Sequence, residues 1–245
     1  MKKYLLSAVS ITTLILISSP VIAQSVDLAD YFMVTPGYWK IFDNESGLAV
    51  SEIGPFILQT DYQYEFGQWI QGESEIILVT AERIVLVGAI DDPSDGGIIY
   101  LHKPPAAIPR YLEVDELFIA TFDEVDRQTG ETVDFLTQTL MITETGLSET
   151  TPAGTYDDCI KVQYTDMDFN TVYCSIEIWA PGFMSIKEWH SVIDNDEEEP
   201  EIIMESEIPS VIEFGTSNPP FPPLSSDTLK KLFKIERLLP ASRAY

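Results

Sequence analysis

The stretch Thr151–Lys187 reads TPAGTYDDCIKVQYTDMDFNTVYCSIEIWAPGFMSIK, and its reading decides the fold. Two runs rich in Ile, Val, Tyr and Trp flank the polar segment Asp166–Asn170, the pattern of a β-hairpin. The stretch also holds both cysteines of the chain, Cys159 and Cys174. If they face one another across the hairpin, Tyr164 lies opposite Phe169 and Val162 opposite Thr171. A disulfide there would close a loop of about 15 residues and contribute ~3 kcal/mol in the chain-entropy view. There is no Cys-x-x-Cys spacing and no basic neighbour to depress a thiol pKa, so the expected bridge is structural rather than redox-active.

Compartment supports that bridge. Lys2 and Lys3 precede an apolar run from Leu5 to Ile17, and Val21-Ile22-Ala23 precedes a cleavage point before Gln24, the layout of an export signal spanning residues 1–23. The run is short for a membrane span, which takes ~20 apolar residues. The expected location is periplasmic or extracellular, where cysteines pair, with no transmembrane segment once the signal is removed.

The pattern of the hairpin continues outward. Gly37–Phe42, Ser51–Gln63 (broken near Gly54-Pro55), Glu75–Thr80, Arg83–Ala89, Leu117–Asp126, Thr132–Glu144, Phe183–Ile193 and Glu201–Pro209 read as strands. The turn residues between them give the regular spacing of antiparallel β architecture. The expected fold class is mainly β: a curved, open antiparallel sheet or half-barrel-like domain over residues 24–212. Residues 213–225, with Pro219-Pro220-Phe221-Pro222-Pro223, read as a proline-rich linker. Residues 226–245 read as an amphipathic helix and tail, capped by Ser225-Ser226-Asp227, with Leu229, Leu232, Phe233, Leu238 and Leu239 roughly on one face and Pro240 ending it.

The 245-residue chain carries 40 acidic against 14 basic residues, a net charge of −26. That excess repels phosphate and argues against nucleic acid as a partner. The charge is uneven, because the C-terminal segment is weakly basic through Lys230, Lys231, Lys234, Arg237 and Arg243. Deletion of that segment asks whether the helix docks a partner or covers the sheet.

Candidate chemistry is sparse. Asp166, Asp168, Asn170 and Glu177 stand at the first, third, fifth and twelfth places of an EF-hand count, with oxygen donors suited to Ca2+. Thr171 occupies the place of the required glycine and no helices flank the loop, so an Asp/Asn-rich hairpin turn is the ordinary explanation. Asp91, Asp92 and Asp95, and the run from Asp194 to Glu199, are acidic loops of the same kind. His102 and His190 share no ligand spacing. There is no Gly-x-Ser-x-Gly, no His-Glu-x-x-His and no phosphate loop. No catalytic residue is therefore assigned. The expected role is non-enzymatic binding or structural service. The alternatives are a carrier of lipid or another apolar ligand in a sheet groove, or a carboxylate-dependent hydrolase.

Pro152-Ala153-Gly154-Thr155-Tyr156, Cys159-Ile160-Lys161-Val162, Trp179-Ala180-Pro181-Gly182 and Ile186-Lys187 resemble a group of exported bacterial β-rich proteins. That group carries a P-A-G-T-[FY]…C strand and a [WY]-x-A-P-G-V-G-x-V-K strand. Tyr31-Phe32-Met33 with Gly37-Tyr38-Trp39 resembles its N-terminal Y-F-P…G-x-x-W. Met33 stands where the group has proline, and Phe183-Met184 where it has Val-Gly. The resemblance implies a β-rich exported protein with turn-forming glycines and prolines, and no activity to carry over.

Overall fold

The structure is a computed structural model that describes residues 24–91, 97–168, 171–194, 201–205 and 209–223. The expected signal peptide, the expected C-terminal helix, and Asn170 lie outside the described residues.

Among the described residues fifteen strands follow in order: β1 (Ser25–Asp27), β2 (Trp39–Phe42), β3 (Ser46–Ile53), β4 (Phe56–Glu65), β5 (Gln68–Val79), β6 (Arg83–Asp91), β7 (Ile98–Pro109), β8 (Tyr111–Glu113), β9 (Leu117–Asp126), β10 (Thr132–Thr151), β11 (Gly154–Met167), β12 (Thr171–Ala180), β13 (Met184–Asp194), β14 (Glu201–Glu205) and β15 (Val211–Gly215). Thirteen form one sheet, ordered β14-β13-β12-β11-β10-β9-β7-β6-β5-β4-β3-β2-β15, and β1 pairs with β8 apart from it. Every pairing in the large sheet is antiparallel. Strands adjacent in sequence are adjacent in space, apart from the skip over β8 and the return of β15 to β2.

The expected antiparallel β class holds, but the sheet goes beyond an open half-barrel. A bridge between Lys187 of β13 and Ser210, and a bond from Glu188 N to Pro209 O at 3.3 Å, bring the two ends of the sheet together. The result is a nearly closed, barrel-like wall. Closure removes the exposed edges that a sheet this long would otherwise present.

Turn chemistry sets the strand ends. Gly54-Pro55 joins β3 to β4, and Ala81-Glu82 joins β5 to β6, where the expected breaks fall. Phe66 sits at the β4–β5 tip with φ 51° and is 98% exposed. β10 runs on to Thr151, beyond the expected strand end at Glu144. Lys103–Pro109 completes β7 and contains a cis Lys103–Pro104 peptide.

One end of the barrel is filled. Ile77, Ile84, Ile108, Phe122, Ile142, Ile160 and Trp179 point inward from seven strands and pack around Leu28 and Phe32. Leu28 belongs to the 3-10 turn Leu28–Asp30, which follows β1 and is capped by Asp27. Asp27 in turn accepts three bonds from Arg110 at 2.7–3.0 Å, tying the plug to the wall.

The cysteine hairpin needs correction. Its register places Val162 opposite Glu177 and Thr165 opposite Cys174, not Val162 opposite Thr171. Cys159 therefore lies six residues along β11 from the residue facing Cys174, a separation on the order of 20 Å along the strand. A disulfide needs Cα atoms within ~7 Å. Both thiols are free: Cys159 is buried beside Ile178, Ile186 and Val211, and Cys174 is half-buried between Thr165 and Ser191.

Residues 213–223 do more than connect. β15 crosses the boundary expected at residue 212 and pairs with β2. Phe221 is then buried, stacked on Tyr62 at 4.4 Å and set edge-on to Trp69 at 4.8 Å. Gly47 makes room for it, since a Cβ there would stand 2.5 Å from the Phe221 ring.

Candidate functional site: an acid-lined barrel interior

Above the apolar plug the inward rows turn polar. On β4 the inward residues are Gln59, Asp61 and Gln63, alternating with the outward Leu58, Thr60 and Tyr62. On β5 Glu73 and Glu75 face in, and a register shift between β4 and β5 sits beside them. His102 of β7, Glu124 of β9, Gln138 of β10, and Tyr164 and Asp166 of β11 complete one cavity of about 260 Å³. A wall drawn from strands as far apart as β4 and β11 can enclose one space only because the sheet is curled on itself. Its carboxylates are Asp61, Glu73, Glu75, Glu124, Asp134 and Asp166.

Crowding changes their chemistry. Burial and the neighbouring Asp61 and Glu73 carboxylates push Glu75 up to about 8. Burial, then Glu73, pushes Asp61 up to about 7, against the opposing pull of Lys40. Glu73 and Asp166 move upward for the same reasons, burial first and Glu124 next, although Gln138 donates to Asp166 and partly offsets its shift. Burial also raises the Tyr164 phenol. Asp61 remains open to the cavity, so cavity water tempers these effects. His102 contacts Leu86 O at 3.3 Å and Glu124 Oε1 at 3.2 Å, with its ring over Phe122.

Asp61 also borders a second cavity, of about 290 Å³, at the barrel seam. Lys40 of β2 is fully buried there and donates to the carbonyls of Phe183 (2.8 Å) and Ser185 (2.5 Å). Burial pulls Lys40 down to about 8, while Glu188, Glu177 and Asp61 resist that fall. Glu177 and Glu188 face each other across β12 and β13. Like charges so placed repel, and the pair settles unequally. Glu177, driven by burial and by Glu188, moves up, though Ser175 Oγ and Trp179 Nε1 each donate to it at 2.6 Å. Burial also opposes ionisation of Glu188, but the bond from His190 at 2.8 Å and the nearby Lys40 hold it below the usual range. His190 moves up in return.

The sequence candidates for Ca2+ disperse. Asp166 faces the first cavity, and Asp168 accepts from Thr171 N at 2.6 Å within the turn. Glu177 sits opposite Val162, four residues from Asp166 along β11, on the order of 13 Å away. Among the described residues no three His, Cys, Asp or Glu side chains gather in an arrangement that could hold a metal ion. The inward acids of β4, β5 and β9 went unsingled in the sequence. Their signal is the polar row Gln59-x-Asp61-x-Gln63 and the pair Glu73-x-Glu75.

No protein-family model and no curated protein matches the chain. Among solved structures, a "putative lipoprotein" from Parabacteroides distasonis aligns at 12% identity, over 76% of this chain and 98% of that one, with a TM-score of 0.34. A likeness that loose defines neither fold nor function here. Among the described residues, no helix is long and apolar enough to cross a membrane.

Proposed function

We propose that the protein is an exported, non-enzymatic binding protein whose barrel interior takes a small organic cation bearing amine or guanidinium groups. The observation that carries this reading is the single cavity walled by six carboxylates, among which Asp61 and Glu75 are pushed above their usual pKa by burial and by neighbouring carboxylates. A polyvalent amine would replace the protons they retain, and each charge-assisted bond in a low-dielectric interior is strong. The polar walls favour such a solute over the lipid that a sheet groove would hold. The scatter of the acids around the wall favours an extended organic cation over a compact metal ion.

Titration calorimetry with spermidine as probe tests it. Binding is expected at one-to-one stoichiometry, weaker at high salt and below pH 7, with proton release, and lost in the Asp61→Asn/Glu75→Gln variant. No heat with any amine, co-purification of an apolar ligand in native mass spectrometry, or glycoside or ester turnover abolished by a single carboxylate substitution would overturn it.

A further inference from the structure

The two cavities meet on β4. Asp61 lines both, and Gln59, which lines the seam cavity, is the cross-strand partner of Glu75, which lines the acid cavity. Their volumes are about 260 Å³ for the acid cavity and 290 Å³ for the seam cavity. Each alone falls short of the roughly 300–1,000 Å³ usual for a small-molecule site, and the two together fall within it. Their walls differ in charge. The acid cavity sets six carboxylates against one histidine, His102. The seam cavity is balanced: Glu177 and Glu188 share it with the buried Lys40, and His190 bonds Glu188 at 2.8 Å. An ammonium entering the seam cavity would stand near that of Lys40, and like charges in a poorly solvated space repel strongly.

What the seam cavity lacks is an uncharged donor. Gln59 is 6% exposed, and its Oε1 has no hydrogen-bond partner among the described residues, while its Nε2 donates to Met184 Sδ at 3.4 Å. Sulfur in a thioether accepts and cannot donate, so the amide nitrogen belongs on that side. A buried acceptor left unpaired is costly. The terminal torsion of a glutamine is soft, so a half-turn brings Oε1 toward the cavity at the expense of one weak bond to sulfur.

We propose that the two cavities form one elongated site, and that its ligand is an amine that also carries hydroxyl groups, with the amine among the carboxylates and a hydroxyl on Gln59 Oε1. A hydroxyl both donates and accepts, which suits a wall holding Lys40, Asn44 and Ser46 beside the acids. Gln59 and Asp61 are two residues apart on β4, ~7 Å along the strand, so a single ring bearing both groups reaches from one to the other. The proposal rests on the acid cavity being a cation site, and it adds what the other end of the ligand must be.

Titration calorimetry on the full chain at about pH 7 compares cis-1,3-diaminocyclohexane with 2-deoxystreptamine, which adds hydroxyls to the same diamine ring. In the parent protein the hydroxylated ring is expected to bind about tenfold tighter, as satisfying one buried acceptor allows. Gln59→Met keeps the length of the side chain and removes its carbonyl, and is expected to bring the two affinities together. A hydroxylated ring that binds no tighter in the parent overturns the proposal, and so does a hydroxyl advantage that survives in Gln59→Met. The parent comparison needs no variant, so it decides even where Gln59→Met fails to fold. If neither ring nor spermidine binds, the acid cavity is no cation site and both proposals fall. If spermidine binds and the rings bind equally or not at all, the cation site stands and only the hydroxyl end is refuted.

Discussion

Lys40 on β2 donates its ammonium protons to the Ser185 carbonyl on β13, and to Phe183 beside it, across the junction where the two ends of the sheet meet. A lysine without a carboxylate in direct contact is an unusual choice for a buried position. Here it satisfies carbonyls at the turn into β13 and places positive charge near Glu177 and Glu188, which would otherwise repel without compensation. Lys40→Met keeps most of the aliphatic stem and removes both bonds. Leaving buried acceptors unpaired costs about 1–3 kcal/mol, which for a domain of this size lowers Tm by roughly 2–4 °C per kcal/mol. Differential scanning calorimetry reads the loss. A variant as stable as the parent would show that the seam closes through its backbone bonds alone.

Phe221 anchors a segment that composition alone reads as a linker. It lies among Trp39, Tyr62 and Trp69, and Trp39 Nε1 reaches Ser217 O at 3.1 Å. Phe221→Ala empties that site, and truncation of a buried aromatic costs about 3–5 kcal/mol. Chemical denaturation should show a lower midpoint with an unchanged slope. Gly47→Val should be harmful for the same reason in reverse, because its side chain would enter the space of the Phe221 ring.

The thiols give a sharp outcome. Cys174, half-buried on β12, should react with a maleimide in the native protein. Cys159, buried with its pKa pushed up to about 11 chiefly by burial, should react only after unfolding. Reductant should leave Tm unchanged. A mass lower by two hydrogens under non-reducing conditions, restored by reductant, would show a bridge and with it a different hairpin register.

Much of the strand order was legible because turns announce themselves. Gly54-Pro55 and the Gly130-containing Arg127–Glu131 separate strands where their residue types favour a break. What the sequence leaves open is which of two alternating rows faces in. On β4, the pattern sets Leu58 and Tyr62 on one face and Asp61 on the other. In the barrel the apolar row faces out and is covered, while Asp61 faces a cavity. Alternation encodes two faces and not their orientation. The hairpin register failed for a related reason. Facing cysteines supplied an anchor that the chain does not use, and the strands instead pair out to Met167 opposite Val172. Met184 is a smaller case: φ is 55° where the resembling group has glycine, yet its side chain packs beside Leu48 and Val50 and its sulfur accepts from Gln59.

The acid-lined interior dictates how stability responds to pH. Asp61 and Glu75 have folded pKa values of about 7 and 8, well above their ordinary values of 3.8 and 4.5, and Glu73, Asp166 and Glu177 move the same way. Between about pH 5 and pH 8 the native state therefore holds more protons than the unfolded chain, so stability falls as pH rises through that window. His190, raised by Glu188, adds the same sign, its contribution being lost as pH rises through its folded pKa. Below pH 4 the lowered Asp27 and Glu149 act oppositely, since their pairing with Arg110 and Lys187 is lost on protonation. Lys40, pulled down to about 8 from 10.5 chiefly by burial, acts with the opposite sign: above pH 8 the unfolded chain binds more protons than the native state, so its contribution makes stability recover as pH rises. Tm should thus peak near pH 5, fall toward pH 8 and then level or recover. The Asp61→Asn/Glu75→Gln variant should flatten the fall, because its amides cannot ionise. A saturating cationic ligand should flatten it too, by replacing protons with bound charge. A Tm that rises steadily from pH 5 to pH 8 in the ligand-free protein would mean that the interior carboxylates ionise normally, and that water fills the barrel freely enough to screen them.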